Sequence, residues 1–513
     1  MRRMFVVSLF FCLAGLGTNF GQSQPAPEQP ALTIYNANFA VVRESIPLDL
    51  TAGVNHVTFS GATAHIEPDS VILRDPSGRR TLQILEQNYR NDPISEGLLL
   101  SLNEGKVIDF QVGEHTTPDG KRVPDVVQGK IIRSGYTPHY SAMSQYGQQY
   151  YQQQMQYASN VGPIIEVDGR LQFTLPGRPI FSSLGYNTIL KPTLDWTLQT
   201  DKPGPSTAEL SYITGGLSWH ADYNVVAPPK GDTIDIVGWV TMDNQSGKEF
   251  NNARIKLMAG DVNKVQPNAR DRLAVYASVE VAGGSMTAPV TEKTFDEYHL
   301  YNLERPATLH DRETKQVEFI SASGVKSQRI YVYNGAVINP NQSGASDFLR
   351  IRSDQNYGTQ SNPKVWVMQE FKNSKANGLG IPLPKGRIRF YRRDDDKQVE
   401  FTGENTLDHT PADETIRVYT GNAFDITGER RRTNYHVNNG QNSVDEDFEI
   451  KVRNHKKEAV EVRIVEKLYR WSNWDIQQKS DPYNKLDSQT VEFRVQIPPD
   501  GEKVVTYFVH YSW

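Results

Sequence analysis

The densest concentration of side chains suited to recognition is Tyr469-Arg470-Trp471-Ser472-Asn473-Trp474-Asp475, continuing to Asp481-Pro482-Tyr483-Asn484. Flat aromatic faces beside Asp, Asn and Arg suit sugar rings or the anchor of a protein contact, where aromatics and Arg carry most of the energy. Tyr469, Arg470, Trp471, Trp474, Asp475 and Tyr483 are therefore the binding candidates. The same residues have an architectural alternative, in which Trp471 and Trp474 cover one end of a β-sandwich core. Asp394-Asp395-Asp396 is the strongest carboxylate run, yet Arg392-Arg393 precede it and Lys397 follows. A charge-compensated hairpin tip explains it better than calcium, because the ligand spacing of an oxygen cage is missing. Asp296, Glu297 and His299 have no partner His at i, i+4, so no metal is assigned. Gly-x-x-x-x-Gly-Lys, Gly-x-Gly-x-x-Gly, Gly-x-Ser-x-Gly and His-Glu-x-x-His are absent. No catalytic residue and no cofactor is nominated. The acids of a glycosidase pair only in space, and nothing in the sequence selects two.

The elements that would position such residues follow an export signal. Arg2 and Arg3 form a positive start, Met4 to Gly17 is apolar, and Gly21-Gln22-Ser23 offers a cleavage site. The apolar run falls short of the roughly 20 residues of a membrane-spanning helix, and Pro25, Pro27 and Pro30 follow it. No later stretch competes, so no transmembrane helix is expected. The only cysteine, Cys12, lies inside the signal, and its preceding Leu9-Phe10-Phe11 lacks the small residues of a lipoprotein signal. Removal of 1–23 leaves a cysteine-free chain without disulfides, thiolate chemistry or Cys-zinc sites. Losing Arg2 and Arg3 moves the formal net charge from −5 to −7, with the remaining basic residues scattered among acids. A nucleic-acid partner is disfavoured.

Val, Ile, Thr, Tyr and Phe are frequent, 38 Gly and 29 Pro punctuate the chain, and 3.6-residue periodicity is rare, the profile of an all-β protein. After a leader at 24–30, short strands are expected at 32–42, 56–59, 71–74 and 81–85, with turns such as Asp75-Pro76-Ser77-Gly78 between them. A hairpin at 106–132 turns at Pro118-Asp119-Gly120. Residues 136–157 hold six Tyr and seven Gln. Such a segment is too poor in aliphatics to offset its ordering entropy, and reads as a mobile loop or a contact segment. Residues 200–207 read as a linker. Beyond it, Ile234, Ile236, Gly238, Val240 and Met242 alternate with Asp235, Val237, Trp239 and Thr241, up to an Asn244-led polar turn and a returning strand at 253–257. The pattern recurs at Phe448, Ile450 and Val452, the turn Asn454-His455-Lys456-Lys457, and Val460, Val462 and Ile464, which implies two similar sandwich units. A strand, turn and strand close the chain at 491–513, and one helix is expected at 268–281.

The segments Phe295-Asp296-Glu297-Tyr298-His299-Leu300-Tyr301, Leu303 to Leu309 and Glu313-Thr314-Lys315-Gln316-Val317-Glu318-Phe319 resemble an exported bacterial family known as domain of unknown function 4139. Leu217 to Tyr223 and Trp239 to Asp261 fit it too, so the resemblance covers roughly 205–513. Its motif residues here are Glu297, Tyr298, His299, Leu300, Tyr301, Lys315, Gln316 and Val317. The name implies no activity. Relatives in the mucoidy-inhibitor group resemble exported β-proteins with a coiled-coil insertion, and this chain carries its Tyr/Gln segment in that place.

The expected architecture is all-β and multidomain, built of antiparallel, immunoglobulin- or fibronectin-like β-sandwich units. An N-terminal β domain spans 31–200, a central sandwich region 206–410 and a C-terminal sandwich 411–513. Val505, Tyr507, Val509, Tyr511 and Trp513 also fit the last strand of an outer-membrane barrel, but many strands are shorter than the roughly 9–11 residues needed to cross. The leading expectation is an exported, non-catalytic binding or scaffolding protein of the cell envelope, periplasmic, surface-bound or secreted, with an envelope protein or glycan as partner. The alternatives are an extracellular polysaccharide- or peptide-acting hydrolase and an outer-membrane barrel component.

Overall fold

A computed structural model describes residues 29–137, 162–185, 188–260, 290–295, 298–338, 354–438 and 442–513, with isolated positions at 152, 262, 264, 351 and 440. The segment read as an export signal, nearly all of the Tyr/Gln segment, the helix expected at 268–281, Asp296 and Glu297 lie outside the described residues. Among those described, strands dominate, and the α-helix Glu96–Leu102 is capped by Ser95, whose hydroxyl accepts from the Leu98 N–H.

Strict alternation decides which side of each strand is buried. In Ser443–Asn454, Val444, Phe448, Ile450 and Val452 point into one core while Asp445, Asp447, Glu449 and Lys451 stay partly exposed. The first sandwich places Leu217–Ala227, Thr233–Asn244 and the 313–326 part of Glu313–Tyr333 in one layer, extended by Gly386–Arg393 and Val399–Leu407. Facing it are Phe250–Ala259 and Tyr298–Leu303. The layers are tied at the core by the Trp219 indole N–H, which donates to the Met258 carbonyl at 3.1 Å, and by Tyr301 lying against Trp219 and Phe319. The second sandwich sets the latter part of Thr415–Asn438, Ser443–Asn454, Gly501–Ser512 and Trp474–Lys479 against Val460–Lys467 and Thr490–Ile497. Its core is Phe448, Ile450, Val462, Phe493, Val505, Tyr507 and their neighbours.

The two Asn-led turns are the same corner built twice. Asn244 Nδ2 donates to the carbonyls of Lys248 at 2.8 Å, Leu309 at 3.3 Å and His310 at 3.0 Å, while its Oδ1 accepts from the Ser246 N–H at 3.1 Å. Asn454 Nδ2 donates to Glu458 at 2.8 Å, Ile497 at 3.4 Å and Pro498 at 2.9 Å, and its Oδ1 accepts from the Lys456 N–H at 3.0 Å. Each amide satisfies turn and strand-end groups that would otherwise be buried without partners.

Residues 29–215 supply further sheets. One is a five-stranded sheet around Phe110, Ile131 and Ile165, and another pairs Thr193–Thr200 with Gly53–Ser60 and Leu82–Arg90. The hairpin expected at 106–132 is present as Val107–Thr116 and Arg122–Arg133. The stretch read as a linker differs: Gly204–Gly215 pairs along its whole length with Phe39–Leu50, because its prolines sit at the strand start. Pairing is also not purely antiparallel, since Ala31–Tyr35 runs parallel to Phe250–Ala259, Leu217–Ala227 to Gly386–Arg393, and Glu313–Tyr333 to Val460–Lys467. The C-terminal alternation belongs to a sandwich, with Val505, Tyr507, Val509 and Tyr511 all turned into its core.

Candidate functional site

The aromatic loop at 469–483 is packed from beneath. Arg470 is buried and donates inward to Glu446 at 2.9 Å and to the carbonyls of Ile351 at 2.7 Å, Asp354 at 3.0 Å and Tyr357 at 3.3 Å. Burial works against its charge, and the Glu446 carboxylate outweighs that and holds the guanidinium protonated. Tyr469 lies edge-on to Tyr357 with its phenol pushed up by burial. Trp471 and Trp474 rest on the second core, and the Trp474 indole N–H donates to the Ser488 carbonyl at 2.8 Å. Tyr483 meets Phe493 edge-on, leaving Asp475 exposed among the six candidates. The geometry is that of a cap over the end of a core.

The motif residues of the 298–317 region serve mainly to join layers. Leu300 and Tyr301 are both buried, and the Tyr301 hydroxyl donates to the Pro382 carbonyl at 3.0 Å. Tyr298 is half-buried, His299 Nδ1 sits 2.7 Å from Glu292, Lys315 pairs with Glu313 at 3.1 Å, and Val317 packs on the first core. Gln316 does something else. Its amide donates to Thr241 Oγ1 at 3.1 Å, the first step of a polar ladder across the outer face of the first sandwich.

Asp222 is the hub of that ladder. Thr241 Oγ1 donates to its carboxylate at 3.1 Å, His220 Nε2 lies 3.1 Å away, Arg387 approaches at 3.4 Å and Arg389 at 3.7 Å. Arg389 reaches on to Glu404 at 3.5 Å, and Tyr391 stands edge-on to Phe401 on the same face. The Asp222 side chain is only 7% exposed although it points away from the core, because these partners cover it. Its cross-strand neighbour is Trp239, which the phase of the 233–244 strand puts on the outer face rather than in the core. His220, Arg387, Glu404 and Phe401 remain about half exposed around the hub.

Sequence reasoning did not nominate Asp222, Arg387, Arg389 or Glu404, which lie on three separate strands and meet only through sheet pairing. One signal was available: in the alternation of 234–242 the indole of Trp239 falls among the polar positions. Two shallow clefts, of about 420 and 560 Å³, lie elsewhere and touch neither the 469–483 loop nor Asp222. Among the described residues no group of three or more His, Cys, Asp or Glu is arranged to hold a metal ion.

The sequence pattern of a domain of unknown function, DUF4139, matches residues 208–513. The chain belongs to the DUF4139 family. No curated protein matches it. The DUF4139 region contains the second sandwich, both Asn corners, the whole Asp222 ladder and most of the first sandwich, whose facing sheet continues into Ala31–Tyr35 and Phe39–Leu50, whereas the five-stranded sheet around Phe110 lies before it.

Proposed function

We propose that this DUF4139 protein is an exported, non-catalytic binding protein of the bacterial cell envelope, and that the Asp222 face makes the contact. The observation that supports this reading is an outward sheet face whose charged groups are spent on one another. His220, Thr241, Arg387 and Arg389 all converge on one carboxylate, so all four are held in place and the two guanidinium groups keep N–H donors left over, as a preorganised recognition surface requires. A general base or nucleophile needs a free lone pair aimed at substrate, and the Asp222 oxygens are already occupied. The export signal read from residues 1–23 supplies the compartment.

The test is binding of the purified mature chain to isolated envelope fractions. Saturable binding that falls about tenfold or more in Arg387→Glu, a half-exposed side chain outside the core, supports the reading, since losing an Arg that anchors a contact costs at least that much. Failure to bind any fraction overturns it.

A further inference from the structure

We infer that the ligand of the Asp222 face is a neutral polysaccharide segment, an inference that rests on the binding role just proposed. The duplicated architecture provides an internal comparison. Counting five residues back from the corner asparagine gives Trp239 in the first sandwich and Glu449 in the second. The cross-strand partner of Trp239 is Asp222, and that of Glu449 is Arg431. The second sandwich carries an ordinary solvated charge ladder on this face: Arg431 with Glu449 at 3.0 Å, Arg453 with Glu429 at 2.9 Å and with Glu502 at 3.1 Å. A surface ladder is all that the scaffold needs there. The first sandwich instead places an indole on the open face beside a shielded carboxylate, which stability does not demand.

The chemistry around Trp239 selects among ligand classes. Arg387 and Arg389 are balanced by Asp222 and Glu404, and Glu318 lies across from Trp239 on the other side. A polyanion requires a surplus of positive charge, which this face lacks. Protein interfaces have cores depleted of charge, and this face has its charges at the centre. A neutral chain of hydroxyl-bearing rings fits both facts: ring faces stack on flat aromatic surfaces, and hydroxyls meet charged donors and acceptors without changing the charge balance. Tyr391 and Phe401 form a second aromatic station. They lie two and three strands from Trp239 and further along the sheet, roughly 16 Å away for Tyr391 and roughly 20 Å for Phe401 at ~4.8 Å per strand and ~3.3 Å per residue. An extended oligosaccharide spans both stations, with the polar hub between them.

The experiment titrates the full mature chain, by calorimetry and tryptophan fluorescence, with hexasaccharides of glucose, N-acetylglucosamine and mannose, and with polygalacturonate as the acidic probe. The expected result is saturable binding of at least one neutral hexasaccharide, insensitive to salt and weakened about tenfold by Trp239→Ala. Trp239→Phe should retain most of it, which separates loss of stacking from loss of fold. The inference is overturned if only polygalacturonate binds with steep salt dependence. It is also overturned if no hexasaccharide binds while envelope fractions still bind in a Trp239-dependent manner, and in that case the binding role itself stands. If envelope binding is indifferent to both Trp239→Ala and Arg387→Glu, the role of the face falls as well.

Discussion

The least expected residues are charges sealed inside the second sandwich. Arg430 and Glu466 have fully buried side chains, joined by Nε contacts of 2.9 and 3.0 Å, and the Tyr507 hydroxyl donates to the same carboxylate at 2.6 Å. Arg430 also lies over the Phe448 ring, 4.1 Å from its centroid. Removing one partner strands the other in a low-dielectric core, so Glu466→Ala should destabilise the protein by about 3–5 kcal/mol in urea unfolding. An apolar pair, Arg430→Met with Glu466→Leu, should recover much of that loss. Tyr507 gives a pH prediction. Burial, reinforced by Glu466, raises its folded-state pKa well above the ordinary value, and burial does the same for Tyr223, Tyr301 and Tyr511. Because the folded state favours the neutral phenol, this contribution is intact below about pH 10, the unfolded value, and is lost as pH climbs toward the folded one. Absorbance at alkaline pH should show these tyrosines ionising together with unfolding; early, gradual ionisation would contradict their burial. None of this was legible in the sequence, nor was the inward turn of Arg470, because an irregular loop has no period from which to read a direction.

At the level of elements the sequence was far more informative, since period-2 alternation is imposed by the pleat itself. The strands around 234–242 and 448–452, their Asn-led turns and the returning strands could all be read from it. The alternation says which residues share a face, but not which strand lies beside which. The Asp222 ladder therefore stayed invisible until Leu217–Ala227 was seen between Thr233–Asn244 and Gly386–Arg393. The corners make a prediction of their own. Asn244→Ala and Asn454→Ala each leave buried carbonyls and one N–H without their amide partner, which should cost about 2–3 kcal/mol apiece. Aspartate at either position keeps the acceptor for the N–H but loses the donor, so denaturant midpoints should fall almost as far as for alanine. A wild-type midpoint in both Asp variants would show that the Nδ2 bonds contribute little.

The whole molecule is coupled through strands that belong to two places at once. Glu313–Tyr333 pairs with Thr233–Asn244 from Glu313 to Lys326, then with Lys364–Lys372 and Val460–Lys467 through its last residues. Thr415–Asn438 likewise pairs first with Lys364–Lys372 and then with Ser443–Asn454. Ile416 and Val418 near its start enter the first core, while Ile426 further along enters the second. Neither sandwich can lose such a strand without exposing unpaired backbone and part of the other's core. The boundary expected near 410 falls just before a strand, Thr415–Asn438, that serves both units. Two consequences follow from the shared ladders. The sandwiches should melt as one transition, with calorimetric and van't Hoff enthalpies close to equal for that part of the chain. A chain ending at residue 410 should fail to give a dispersed amide spectrum, because it lacks the 415–438 strand that closes the first core. Two resolved transitions, or a folded chain ending at 410, would show instead that the pairing across these long strands is too weak to bind the halves together, and that each sandwich holds its own core.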